Sequence, residues 1–99
     1  MIKFEWDENK NVQNIKKHKI DFAEAVTAFF DDRGLVIEDV EHSSEEERFL
    51  LLGITLKARI VVVCHCYRIY DDGDEVIRII SCRKATAKEC RQYVEVNRL

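Results

Sequence analysis

From Ile2 to Trp6 apolar and charged side chains alternate, the period-two signature of a half-buried strand. Asp7 follows as a helix N-cap, and the spacing predicts a helix through about Lys17 with Val12 and Ile15 on its apolar stripe. Asp21 and Glu24 form a D-x-x-E start resembling a capping box. Phe22, Val26, Phe29 and Phe30 then fall at i, i+4, i+7 and i+8, a face that belongs in a core, and Gly34 is expected to end this second helix. Beyond Gly34 the pattern becomes strand-like over residues 35–39, 48–54, 59–67 and 75–83. An acidic loop over 40–47 joins the first two strands, 53–58 makes a short turn, and Asp72-Gly73 marks a hairpin between the last two. Thr86 and Glu89 make a capping box that opens a final helix, with Cys90, Tyr93, Val94 and Asn97 on one face.

The resulting order, β-α-α-β-β-β-β-α, predicts an α+β fold: a mostly antiparallel sheet of four to five strands with two N-terminal helices and one C-terminal helix. Residues 59–67 are apolar at nearly every position, which marks a central strand. Its neighbour is unusual. Arg78 sits among isoleucines, and Arg83 and Lys84 stand at the strand's end. Desolvating a guanidinium is expensive, so these cations imply a polyanion, an acidic partner or internal carboxylates. Arg78 and Arg83 have opposite parity and share a face only if a bulge or the strand end turns one of them.

At 99 residues the chain is expected to form one domain over 1–99, and 46% hydrophobic with 35% charged residues describes an ordinary globular protein. Three glycines and no proline leave little room for linkers. The chain lacks a bilayer-length apolar run, and its first residues lack the apolar stretch of a signal peptide, so a cytoplasmic location is expected. A net charge of −3 argues against bulk electrostatic binding of nucleic acid. The charge is nevertheless segregated: Glu38, Asp39, Glu41, Glu45, Glu46 and Glu47 crowd residues 38–48 against Arg48, while Arg78, Arg83, Lys84, Lys88, Arg91 and Arg98 gather over residues 76–99 against Glu89 and Glu95. Cysteines 64, 66, 82 and 90 read as reduced, packed thiols, with Cys64 and Cys66 on one strand face and His65 on the other, a geometry poorly suited to one shared metal.

The candidate constellation is Lys17, His18, His65, Arg68, Arg78, Arg83 and Lys84. A glycine-rich phosphate loop, a G-x-S-x-G elbow and a zincin histidine pair are all missing. Cations with imidazoles suit metal-free cleavage of RNA, in which the 2′-hydroxyl attacks the adjacent phosphorus. The protein must then remove a proton, stabilise charge on the phosphorane and protonate the leaving oxygen. Each residue also has a structural reading. His18 can cap a helix end, His65 can be a hydrogen-bonded core histidine, Arg68 can pair with Asp71 or Asp72, and Arg78 with Glu47 or Asp39. The carboxylates Glu45, Glu46 and Glu47 more often form a solvated face than a magnesium site, and no cofactor or metal is expected. The competing class is a non-catalytic module that docks an acidic protein or RNA through its basic strand end.

Motifs along the whole chain carry a resemblance. They are Phe4-Glu5-Trp6-Asp7 with Lys10 and Asn14, Lys17-His18, Phe22 and Ala25 with Phe29 and Asp31, His42-Ser43 leading to Glu47-Arg48 and Gly53, then His65, Tyr67 and Arg68, and finally residues 77–86 followed by Glu89 and Tyr93. In this order they resemble the BrnT-type toxins of bacterial type II toxin–antitoxin systems. The resemblance implies a RelE-like fold and an RNA-cleaving activity that inhibits translation. It also implies a cognate antitoxin with a DNA-binding domain, of ribbon-helix-helix type, in a toxin–antitoxin hetero-oligomer. Lys17, His18, Arg68 and Arg83 are then the expected catalytic positions, with His65, Arg78 and Lys84 as RNA contacts. Lys19 stands where such toxins usually have glycine, so the turn there needs an unfavourable backbone geometry or a different one; Cys82 replaces their usual alanine.

Overall fold

Asp7 ends β1 (Ile2–Trp6) and caps α1 (Glu8–His18), accepting from the N–H groups of Asn9 and Lys10. The helix closes on Lys19, which adopts the left-handed conformation at φ 61° and donates its N–H to the Ile15 carbonyl. The unfavourable geometry expected where a glycine is missing is therefore present. Asp21 caps α2 (Phe22–Ala28) through the Ala23 N–H. This helix stops at Ala28, well before Gly34, and the Glu24 carboxylate turns away from the cap towards Arg59 and Thr55.

The computed structural model describes residues 2–42, 44 and 46–98; Met1, Ser43, Glu45 and Leu99 lie outside the described residues, and with them parts of the His42-Ser43 motif and of the acidic loop. After α2 come β2 (Leu35–Glu38), a 3-10 turn (Val40–His42), β3 (Phe49–Ile54), β4 (Ile60–Ile69), β5 (Glu75–Lys84) and α3 (Ala87–Val96). The sheet order is β1-β5-β4-β3-β2, with β4 central as its apolar run requires. Every pair is antiparallel except β1 with β5, which run parallel and bring Glu5 opposite Arg78.

One sheet face is sealed by helices. Ile20, Phe22, Ala25 and Ala28 pack against Leu51, Val61, Val63, Ile79 and Cys82, with Phe4, Trp6, Val26 and Phe29 around them. Burying Phe22 completely contributes about 2–3 kcal/mol. Gly53 permits the close approach of α2 to β3, since a Cβ there would lie 3.1 Å from the Ala28 carbonyl oxygen.

The α1 stripe differs from its periodic reading. Val12 and Ile15 are exposed, and the buried residues are Asn11 and Asn14. Asn11 accepts the Phe22 N–H at 2.9 Å and donates to Asp21. Asn14 donates to the carbonyls of Ile20 and Cys82, both at 2.9 Å, and accepts the Cys82 N–H at 3.1 Å. The physical reason is that β1 pairs with β5 only as far as Trp6 against Ile79, and the Asn14 amide supplies the backbone partner that a longer β1 would have given Cys82.

Thr86 and Glu89 form both halves of the expected capping box at the start of α3. Tyr93 is buried and donates to Asp31 at 2.6 Å, while Val94 points to solvent rather than sharing the inner face. Burial and the Asp31 carboxylate push the Tyr93 phenol up to about 12.

Candidate active site

The register of β5 settles how its arginines are aimed. His65 pairs with Ile79 while Cys64 pairs with Ser81, so Ile80 is an extra residue and the strand is bulged. A one-residue insertion inverts the alternation beyond it. Arg78, opposite Cys66, and Arg83, opposite Val62, consequently share the sheet face away from the core that α2 covers. Cys64 and Cys66 share that face and His65 takes the other; all four cysteines are unbridged.

At the hairpin end of this face, Arg78 forms an ion pair with Glu5 across the parallel strands. The Tyr70 hydroxyl donates to the second oxygen of the same carboxylate at 2.5 Å. Tyr70 and Arg78 together hold Glu5 below the usual carboxylate range. Arg68 lies next along the face, with its Nη2 3.4 Å from Glu46. It borders a polar cavity of about 340 Å³ lined also by His42, Ser44, Glu46 and Arg48. His42 is oriented by Asp39, whose carboxylate lies 2.9 Å from Nδ1.

Arg83 stands at the other end of β5, in a two-point pair with Glu89 at 2.7 and 3.0 Å. Arg83, with the Thr86 N–H, brings the Glu89 carboxyl down to about 2. Lys84 is exposed at the strand end. Lys17 and His18 occupy the last turn of α1 and line a shallow groove of about 190 Å³ with Lys10, Gln13, Asn14, Ile80 and Ser81. Asn14 holds this turn against β5, so the groove runs beside the strand that carries both arginines.

The expected residues thus divide into Arg68 with Arg78, Arg83 with Lys84, and Lys17 with His18 beside β5. His65 stands apart. It is fully buried on the helix side, with Nδ1 3.0 Å from the Val63 carbonyl and Nε2 3.2 Å from the Tyr67 hydroxyl. Its ring centroid lies 4.8 Å from Phe29 and 5.3 Å from Tyr67, and burial lowers its pKa. A neutral imidazole with no exposed surface packs the core, so His65 is corrected from RNA contact to core residue. Two pairings are also corrected: Arg68 meets Glu46 rather than Asp71 or Asp72, and Arg78 meets Glu5 rather than Glu47 or Asp39. Their partners come from a distant loop and from the N-terminal strand, and local spacing carries no signal for either.

Glu5, Tyr70, His42 and Arg48 were not among the expected site residues. Glu5 had a signal, as the charged position between Phe4 and Trp6 on an alternating strand, but only the parallel pairing with β5 gives it a role. Arg59 forms a separate ion pair with Glu24, which is buried and also accepts from Thr55 at 2.8 Å. This network ties α2 to the turn after β3. Among the described residues, no three His, Cys, Asp or Glu side chains are grouped to hold a metal, and no helix is long and apolar enough to cross a membrane.

The chain is thus a small α+β protein that collects Arg68, Arg78 and Arg83 on one sheet face, each beside a carboxylate. The family model for the ribonuclease toxin, BrnT, of type II toxin–antitoxin systems matches residues 6–89, and the chain belongs to that family. It therefore has RNA as its target and an antitoxin as its partner, and the match supports a ribonuclease over a non-catalytic docking module. Among solved structures, the chain is similar to the Brucella abortus ribonuclease toxin, BrnT. The identity is 24%, the alignment covers 87% of this chain and 99% of that one, and the TM-score is 0.63. That likeness supports the fold. No curated protein matches the chain.

Proposed function

We propose that the sheet face bearing Arg68 and Arg78 is where this toxin cleaves RNA, without a metal ion, and so inhibits translation. The observation that carries this reading is the convergence of Arg68 and Arg78 with Glu5 and Tyr70 at one end of that face. A guanidinium has five N–H donors, and Glu5 engages Nη1 of Arg78, which leaves donors for a phosphate. Arg68 and Arg78 bind the scissile phosphate and stabilise the added charge of the phosphorane. Lys17, His18, Arg83 and Lys84 contact flanking phosphates along β5, and Arg83 must share its guanidinium with Glu89. The chain acts as one toxin domain in the cytoplasm. Its antitoxin is a DNA-binding protein of ribbon-helix-helix type that forms a hetero-oligomer with it.

The test is cleavage of RNA by the purified chain in excess chelator. Cleavage is expected to persist there, and Arg68→Ala to slow it by about 10²–10³-fold while thermal melting stays near that of the wild type. An Arg68→Ala protein within threefold of wild type, or activity lost in chelator and restored by magnesium, refutes the proposal.

A further inference from the structure

We infer that Glu5 is the general base of the cleavage, the group that takes the proton from the ribose 2′-hydroxyl; the inference rests on the ribonuclease reading of the face above. A carboxylate in a phosphate site is electrostatically unfavourable unless it has a task. Among the described residues, Arg68, Arg78 and Arg83 meet Glu46, Glu5 and Glu89, and the settings of these carboxylates differ. Glu89 is committed to the α3 capping box through the Thr86 N–H. Glu46 lies on the loop before β3, with 41% of its side chain exposed and a 3.4 Å contact. Glu5 is held on a strand by two donors, Tyr70 on one oxygen and Arg78 on the other, with 27% of its side chain still exposed. An ionised carboxylate has about four acceptor positions, so both oxygens keep capacity for a substrate hydroxyl.

The imidazoles are less well placed. His65 is sealed in the core, His42 lines the cavity beside Arg68 and Glu46, whose lining includes neither Glu5 nor Arg78, and His18 lies in the groove beside Ile80 and Ser81. The charged and titratable groups facing Glu5 are Arg68 from β4, Tyr70 from the turn that follows it and Arg78 from β5; they keep it ionised and thus in the basic form at neutral pH.

In the step itself, a Glu5 oxygen accepts the 2′-hydroxyl proton while the 2′-oxygen forms a bond to phosphorus. The bond from phosphorus to O5′ breaks, its electron pair leaves on O5′, and O5′ takes a proton from water. The resulting hydroxide removes the proton from Glu5, so no net proton is consumed. The products are a 2′,3′-cyclic phosphate and a 5′-hydroxyl. Arg78 sits beside both the base and the phosphate, where it aligns the two.

The test is single-turnover cleavage of a short RNA by the full chain, with affinity measured on the same RNA carrying a 2′-deoxy sugar at the scissile position. Glu5→Gln is expected to lose about 10²–10⁴-fold in rate with affinity unchanged or tighter. Glu5→Ala is expected to regain at least about tenfold with added formate, which a purely positional role for Glu5 would not produce. Glu5→Asp keeps the charge beside Arg78 but retracts the oxygen, and is expected to lose about 10²-fold while remaining folded. Glu5→Gln within threefold of wild type, or a slow Glu5→Ala that formate leaves unchanged, overturns the assignment. The two readings fail separately. If wild type cleaves and Arg68→Ala is impaired but Glu5→Gln is not, only the assignment of Glu5 falls. If Arg68→Ala is also unimpaired, the proposed face falls with it.

Discussion

Replacing Asn14 by alanine tests the claim that a polar helix face completes the sheet. The substitution deletes bonds of 2.9, 2.9 and 3.1 Å and leaves the Ile20 carbonyl and both backbone groups of Cys82 without that partner. Ile20 and Cys82 are fully buried, so water does not readily replace the amide. At about 1 kcal/mol net per bond the loss is about 3 kcal/mol. The better helix propensity of alanine returns about 0.6 kcal/mol, leaving a cost of roughly 2.5 kcal/mol. Against a total stability of about 5–15 kcal/mol this is a large share. Urea unfolding followed by far-UV circular dichroism reads it directly: with a slope of about 1–3 kcal/mol per molar, the midpoint falls by about 0.8–2.5 M at unchanged slope. Asn14→Asp adds a check with a definite sign. Its carboxylate can still accept the Cys82 N–H but faces two carbonyl oxygens, so its folded-state pKa is raised. The destabilisation is therefore smallest at acid pH and grows as pH rises through that folded value. A midpoint shift below about 0.3 M for Asn14→Ala would mean that the amide is dispensable and that apolar packing alone holds α1 on β5.

Three other outcomes follow from the same structure. Glu24→Ala leaves Arg59 and Thr55 facing a buried gap and is expected to cost about 3–5 kcal/mol by thermal or urea unfolding; a cost under about 1 kcal/mol would show that the pair is idle. Lys19→Gly relieves a left-handed residue at φ 61° and is expected to stabilise by about 0.5–1 kcal/mol, raising the melting temperature, whereas a loss of stability would contradict that strain. Glu89, with its folded pKa lowered from 4.5 to about 2, contributes stability that is present above 4.5 and is lost as pH falls towards 2. Its side chain is 24% exposed, and allowing for solvent screening the contribution is about 1–2 kcal/mol. Wild type and Glu89→Gln should therefore differ at neutral pH and converge near pH 2, and a gap independent of pH would refute the ion-pair account.

Much of the architecture was legible because the signals are local. Alternation over Ile2–Trp6, the apolar run of β4, the Asp72-Gly73 turn and the Thr86 with Glu89 cap each depend on residues a few positions apart, and each lies where its pattern predicts. Gly73 has φ +84°, the geometry its turn requires. The failures have a common cause. The inner face of α1 is polar because its neighbour is an incompletely paired strand, and period-based reasoning assumes that buried means apolar. His65 looked available because a histidine in a strand carries no mark of which layer will cover it.

The candidate site follows the same division. Sequence alone determined the order of elements, the central place of β4 and the unusual charge on β5, since these need only the spacing of side chains along the chain. The tertiary structure decided what that charge can do. The bulge at Ile80 reverses the alternation and puts Arg78 and Arg83 on one face, and the parallel pairing of β1 with β5 brings Glu5 to Arg78 from the far end of the chain. Both outcomes depend on strand register, which is set by packing across the whole sheet and not by any stretch of neighbouring residues.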